Sequence, residues 1–176
     1  MQRKNLWAPW RIGYIQGIAD EAGACFLCRE AAHPDPNGTG LVVWRSRLSL
    51  VVLNRFPYNN GHLLIAPLRH IADLAEATDE EMLDLMRLVR DMQGLLSRVV
   101  SPHGFNVGIN LGRCAGAGLP GHLHVHVVPR WNGDTNFMSV CGDAKVISQG
   151  LAELSDQLRQ AVKTPETQNP EAGSRK

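Results

Sequence analysis

Eight residues, HLHVHVVP (His122–Pro129), constrain this chain more than any other stretch. Histidine stands at 122, 124 and 126, with Leu123, Val125 and Val127 between them and Val128 after. A strict period of two sends successive side chains to opposite faces of an extended strand, and no helix keeps such a pattern on one side. The stretch specifies a fifth strand whose Leu and Val face enters a core while three imidazoles line up on the other face. A polar strand face is normally mixed in residue type. This one is not.

The rest of the chain supplies a sheet to hold that strand. GLVVWRS and LSLVVLNR read as β-rich runs, and PYNNGHLLIAP as a turn entering a third strand. ATDEEMLDLMRLVRDMQGLLSRVVSP is the strong helix: Thr78 and Glu81 form a capping box, and Pro102 ends it. Met82, Leu85, Met86, Val89, Met92, Leu95, Leu96 and Val99 recur along it at helical spacing. GFNVGINLG reads as a fourth strand, GRCAGAGLPG as a Gly-rich loop, and about Ala144–Val162 as a weaker amphipathic helix. Strands, a long helix, then more strands imply an α+β architecture with a mainly antiparallel sheet. We expect residues 1–20, with Trp7, Trp10 and Tyr14, to pack on the domain or on a partner, 21–162 to form the domain, and 163–176 to be a disordered tail.

Charge excludes some partners. Eighteen Lys and Arg against 17 Asp and Glu give a net charge of +1, no field for a nucleic-acid duplex or an anionic membrane, so a phosphate ligand must be held locally. No apolar run approaches the ~20 residues of a membrane span, and the basic N-terminus lacks a signal-like apolar core, so a cytoplasmic location is expected. In that compartment the pair Cys25 and Cys28 points to metal or redox chemistry rather than a structural disulfide, while Cys114 and Cys141 stand alone.

Three aligned imidazoles can bind a metal or divide the labour of a nucleophilic reaction. Cys25 and Cys28 offer two soft ligands that need two nitrogen partners for tetrahedral zinc. One zinc cannot take all three histidines and both cysteines, so at least one imidazole is left for other work. Before the strand, NLGRCAGAGLPGH sets Asn110 and glycines at 112, 116, 118 and 121 beside the histidines, with Arg113 and Arg130 flanking. Such a loop is either a tight connection or a concave anion nest. Beside a row of histidines it points to phosphoryl or nucleotidyl chemistry, in which an imidazole attacks phosphorus.

These residues resemble a known family. His122-Leu-His124-Val-His126-Val-Val128 is similar to the signature of the histidine triad superfamily of nucleotide hydrolases and transferases. The likeness runs from about Leu6 to about Ile147 through LWAPWR, CFLC, VVLNRFPYNNGHLLIAPLRH, GFNVGINLGR and AGAGLPGHLHVHVVPRWNGDTNF. The PRWNGDTNF extension resembles the bacterial branch of diadenosine tetraphosphate phosphorylases or adenylyltransferases.

The resemblance implies a five-stranded antiparallel sheet with two main helices, pairing across a two-fold into a ten-stranded sheet. It implies that His124 is the nucleophile and that His126 hydrogen-bonds the phosphate and helps the leaving group depart. Asn110 and the loop of Gly116, Ala117 and Gly118 are implied to hold phosphates, with His62 lining the pocket. Asn54 stands where many members have an Asp for the ribose hydroxyls; it keeps an acceptor, adds donors and loses the charge. Trp131 is a candidate to stack on a purine or a partly buried core residue. The implied zinc ligands are Cys25, Cys28, His70 and His122, a structural site because four protein ligands leave no open position. No catalytic metal is implied.

The implied reaction splits diadenosine tetraphosphate with inorganic phosphate into ADP and ATP through an adenylyl-His124 intermediate. A hydrolase of dinucleoside polyphosphates or nucleoside phosphoramidates, with water as acceptor, uses the same chemistry. A zinc-stabilised nucleotide-binding module with little turnover is the alternative of another class, and one ion on all three histidines is a fourth.

Overall fold

A computed structural model of the chain describes residues 25–32, 40–134, 147 and 149–163. Its strands are β1 Val42–Arg45, β2 Ser49–Leu53, β3 Leu63–Pro67, β4 Gly104–Ile109 and β5 Val125–Arg130. Its helices are α1 Phe26–Ala32, α2 Asp79–Val100 and α3 Leu151–Lys163. The strands form one antiparallel sheet in the order β1-β2-β3-β5-β4, so the expected α+β fold with two main helices holds. The aromatic segment expected at 1–20, the loop residues 33–39, Cys141 and the tail from 164 onward lie outside the described residues.

Parity builds the two faces. Val51 and Leu53 of β2, Leu63 and Ile65 of β3, and Leu123, Val125 and Val127 share one core with Leu85, Leu88, Val89, Met92, Leu95 and Leu96 of α2 and Leu154 and Leu158 of α3. Leu50, Val52 and Ala66, on the other face, pack with Leu27 of α1. Covered on both sides here, β2 and β3 bury all five residues each, which is why SLVVL and LLIAP are nearly continuous apolar runs.

Helix α2 starts as its sequence dictates. The Thr78 hydroxyl accepts from Glu81 N–H at 3.2 Å, and the Glu81 carboxylate accepts from Thr78 N–H at 2.9 Å. The buried stripe departs from the expected one. Met82 and Met86 are exposed (37% and 56%) and Leu88 is buried, because the stripe runs through Glu81, Leu85, Leu88, Val89, Met92, Leu95 and Leu96. The two methionines flank that stripe rather than lie in it. Ser101 closes the helix in the left-handed region at φ 46, and Pro102 follows. The second amphipathic helix is described over Leu151–Lys163, with Gln149 and Gly150 non-helical before it, and the expected start near Ala144 lies outside the described residues.

β5 also begins later than expected, at Val125. His122 and His124 lie in the approach to the ladder, where Leu123 N–H donates to Ile71 O at 2.6 Å. The alternation survives there, since Leu123 is 2% exposed and belongs to the helix-side core. The histidine face is therefore continuous through the end of the regular strand.

Candidate active site and metal centre

At one end of the histidine face four side chains converge. Cys25 and Cys28 come from the start of α1, His70 follows β3, and His122 precedes β5. His122 Nδ1 lies 3.1 Å from Cys25 Sγ and 3.5 Å from Cys28 Sγ, and His70 Nδ1 lies 3.3 Å from Cys28 Sγ. All four ligand atoms fall within 4.8 Å of one another. A tetrahedral ion with bonds of about 2.0 to 2.3 Å needs S···N edges of about 3.6 Å, so these residues are positioned to hold a metal ion. The other ring nitrogen of His122 donates to Pro67 O at 2.9 Å, which turns the Nδ1 lone pair toward the thiols. Burial, then the neighbouring Cys25, pushes the Cys28 thiol up, the direction a cation at this corner reverses.

The next histidine carries a different wiring. His124 is 6% exposed, and its Nδ1 lies 2.7 Å from the carbonyl oxygen of His122. A carbonyl only accepts, so Nδ1 carries the hydrogen and Nε2 keeps its lone pair. Burial lowers the pKa of this ring, which keeps it neutral at ordinary pH.

The third histidine is wired through a chain that starts at the backbone. Tyr58 N–H donates to His62 Nδ1 at 3.0 Å, so the hydrogen of neutral His62 sits on Nε2. That Nε2 lies 2.9 Å from His126 Nδ1, which must accept, and His126 therefore carries its own hydrogen on Nε2. His62 is fully buried, and burial together with the charge of His124 lowers His126 to about 4. The Asn110 amide nitrogen is placed 3.4 Å from His126 Nε2; a half-turn of the amide, whose two ends are nearly identical, supplies the oxygen that an N–H needs. Asn54 completes the wiring: its Nδ2 lies 3.2 Å from His62 Nδ1 and its Oδ1 accepts from Phe56 N–H at 3.0 Å.

The loop between Asn110 and His122 folds around its glycines. Gly112 and Gly116 adopt φ of 77 and 89, which a side chain disfavours. Gly116 N–H donates to Arg113 O at 3.0 Å and Ala117 N–H to Gly112 O at 3.3 Å, and Gly116, Ala117 and Gly118 are half-buried. Cys114 is an exposed free thiol in this loop.

Trp131 goes elsewhere. Its indole N–H points at the last carbonyls of α2, 3.1 Å from Ser101 O and 3.3 Å from Val100 O. It is not a wall of the cavity, ≈ 180 Å³, that opens beside His126. The walls of that cavity include two residues the sequence reading missed, Tyr58 and Asn106. Tyr58 stacks on the His126 ring, with centroids 5.7 Å apart and 19° between planes. A signal for Asn106 existed: Asn106, Gly108 and Asn110 alternate in GFNVGIN with the period of the histidines.

Known proteins resemble this chain in sequence and in fold. The HIT domain family matches residues 36–133. The chain is 42% identical over 161 residues to the AP-4-A phosphorylase of Mycobacterium tuberculosis, covering 86% of this chain and 80% of that protein. It is 38% identical over 93 residues to the asymmetrical bis(5'-nucleosyl)-tetraphosphatase of Schizosaccharomyces pombe, covering 53% of this chain and 50% of that one. In fold it is similar to a Zn-bound histidine triad family protein from Mycobacterium smegmatis, with a TM-score of 0.63, 23% identity, and coverage of 80% of this chain and 94% of that one.

Proposed function

This chain belongs to the HIT domain family, and from that premise we propose that it is a nucleotidyl transferase acting on dinucleoside polyphosphates. Diadenosine tetraphosphate and inorganic phosphate then give ADP and ATP. The observation that carries the reading is the hydrogen pattern along one strand face: a bare nitrogen on His124 beside an N–H on His126.

In this reading His124 Nε2 attacks the phosphorus of one adenylyl group. The P–O bond to the polyphosphate breaks, and ATP leaves as the adenylyl-His124 bond forms. Charge that develops on the His124 ring is met by the His122 carbonyl at Nδ1–H. His126 Nε2–H faces the departing oxygen and donates to it, while His62 holds that ring in its tautomer. Inorganic phosphate next attacks the same phosphorus from the vacated side, the P–N bond breaks, and ADP leaves with His124 restored. Asn110 and the loop of Gly116, Ala117 and Gly118 hold the phosphate oxygens. Each end of the Asn54 amide is engaged once within the chain, so what remains for a ribose hydroxyl is its second N–H and its second oxygen lone pair.

Two thiols with two imidazoles suit Zn²⁺, and we take the corner of Cys25, Cys28, His70 and His122 as a structural zinc site. When bound, the ion supplies a crosslink between α1 and the histidine strand. No helix among the described residues is long and apolar enough to cross a membrane, and a reduced cysteine pair fits the cytoplasm. β4 is an edge of the sheet, and we propose that it pairs with β4 of a second copy to make a ten-stranded sheet.

Product analysis tests the reaction. The protein is incubated with diadenosine tetraphosphate, with and without inorganic phosphate, beside a His124→Ala control. ADP and ATP formed only with phosphate, and lost in the control, support the transferase. AMP and ATP formed regardless of phosphate replace it with the hydrolase, the activity named for the Schizosaccharomyces pombe relative.

A further inference from the structure

The cavity beside His126 has a job that the transfer reaction alone does not give it. Resting on the transferase reading, we propose that this cavity is the subsite for the second nucleoside of the substrate, and that Asn106 reads the edge of its base.

Direction comes first. An imidazole attacks phosphorus in line with the bond that breaks, so the leaving group departs on the side away from His124. On that side stands His126, whose Nε2–H meets the departing oxygen. His126 is also a wall of the cavity; Gly108 stands opposite it, Asn106 and Val128 lie one step farther along the β4–β5 pair, and Tyr58 closes the space from the β2–β3 connection. Asn106 opposes Val128 and Gly108 opposes His126 in the β4–β5 register, so all four share the histidine face. A Cβ built on Gly108 meets nothing within 4 Å, which leaves the floor beside His126 open. A group that leaves past His126 enters this space.

Chemistry identifies the group. Tyr58 offers an exposed ring already stacked on His126, and Val128 an apolar side. One polar side chain beyond the histidine wiring faces them. Asn106 Oδ1 accepts from Arg130 Nη1 at 2.7 Å, and a guanidinium has only donors, so the orientation of this amide is unambiguous. Its NH₂ end makes no hydrogen bond among the described residues and is turned away from Arg130. The orientation is also fixed: Arg130 donates to both oxygens of Asp134 at 2.6 and 2.9 Å, and Asp134 takes Asn59 Nδ2 at 2.8 Å and Trp131 N–H at 3.1 Å. An apolar space with one aromatic wall and a preset donor on its rim suits a nucleobase that presents a ring nitrogen or carbonyl, and the tether from its ribose is the departing polyphosphate.

The test compares diadenosine tetraphosphate with adenosine 5'-tetraphosphate, which has the same phosphate chain and lacks the second nucleoside. The unaltered protein is expected to favour the dinucleotide in kcat/KM. Asn106→Ala, on an exposed position that leaves the core intact, is expected to cut that preference about tenfold, through KM rather than kcat. Equal use of the two compounds by the unaltered protein overturns the proposal, and so does a preference that Asn106→Ala leaves in place. Turnover of neither compound overturns the transferase reading, and the subsite falls with it.

Discussion

His122 and His126 are the same residue on the same strand face, yet the two ends of that face do opposite things. His122 is 2% exposed, gives its Nε2–H to a carbonyl and turns a lone pair toward two thiols. His126 is half-buried, receives a hydrogen bond at Nδ1 and turns its Nε2–H toward an open cavity. Between them His124 gives up Nδ1–H and keeps the Nε2 lone pair. What differs is the partner of the nitrogen that does no chemistry: Pro67 O, His122 O and His62. A neutral imidazole has one donor and one acceptor, so fixing one nitrogen fixes the other. One end presents a lone pair to the thiols and the other an N–H donor to the cavity.

The comparison breaks most visibly at His124, the proposed nucleophile. His124→Ala is expected to lower turnover by at least about 10⁴-fold and to abolish labelling of the protein by the nucleotide, whereas His126→Ala is expected to cost about 10²- to 10³-fold and to spare the labelling. Equal losses and equal labelling in the two variants would mean that the strand does not divide its work. Labelling is read by mass spectrometry of the acid-quenched protein.

Metal removal probes the other end. With free zinc at 1,000 times the dissociation constant, the ion adds about 4 kcal/mol to folding stability, or about 10 °C in Tm for a domain of this size. Chelation is expected to remove that increment and Cys28→Ser to prevent it, as read by thermal melting with metal analysis. A melting temperature indifferent to chelator would leave the corner a packed polar cluster.

The same corner is anchored from the helix side. Arg69, the neighbour of His70, makes two 2.7 Å hydrogen bonds to Glu81, whose carboxyl it holds down to about 2. Glu81→Gln is expected to cost about 2 kcal/mol in denaturant unfolding, since Glu81 is 4% exposed while Arg69 remains half in solvent.

Acid gives the smallest effect. His126 sits at about 4 when folded, below the 6.5 of a free imidazole. Between those values the unfolded chain binds a proton that the folded chain does not, so this contribution is complete above 6.5 and is lost as pH falls toward 4. The slope from this ring is at most about 1.4 kcal/mol per pH unit. Glu81 acts lower, from 4.5 down to about 2. His126→Asn should flatten unfolding stability between pH 6.5 and 5, and an unchanged slope there would show that His126 is not the depressed group.

Much of the site was legible because its signals are local. The period of two at 122–128, the Cys25–Cys28 spacing and the Thr78–Glu81 capping box each need only a few neighbouring residues to read. Trp131 was legible only as two alternatives, a purine platform or a partly buried residue; the fold makes it half-buried and turns its indole N–H to the end of α2. Met82 and Met86 fit a helical period, and only the direction from which the sheet approaches shows that Leu88 lies inside and they lie outside. Asn106 carried its signal in a strand whose partner the sequence does not name.

The sequence by itself determined which residues share the histidine face, because alternation is a property of an extended backbone alone. It also determined the Cys25–Cys28 spacing and where α2 starts, while the fold brought His70 and His122 to the two cysteines. Tertiary structure decided which nitrogen of each histidine holds the hydrogen, because that depends on Tyr58 N–H, His122 O and Pro67 O being delivered to the rings. A side chain's position can be read from its period. Its protonation cannot, since the partner that sets it arrives through the fold.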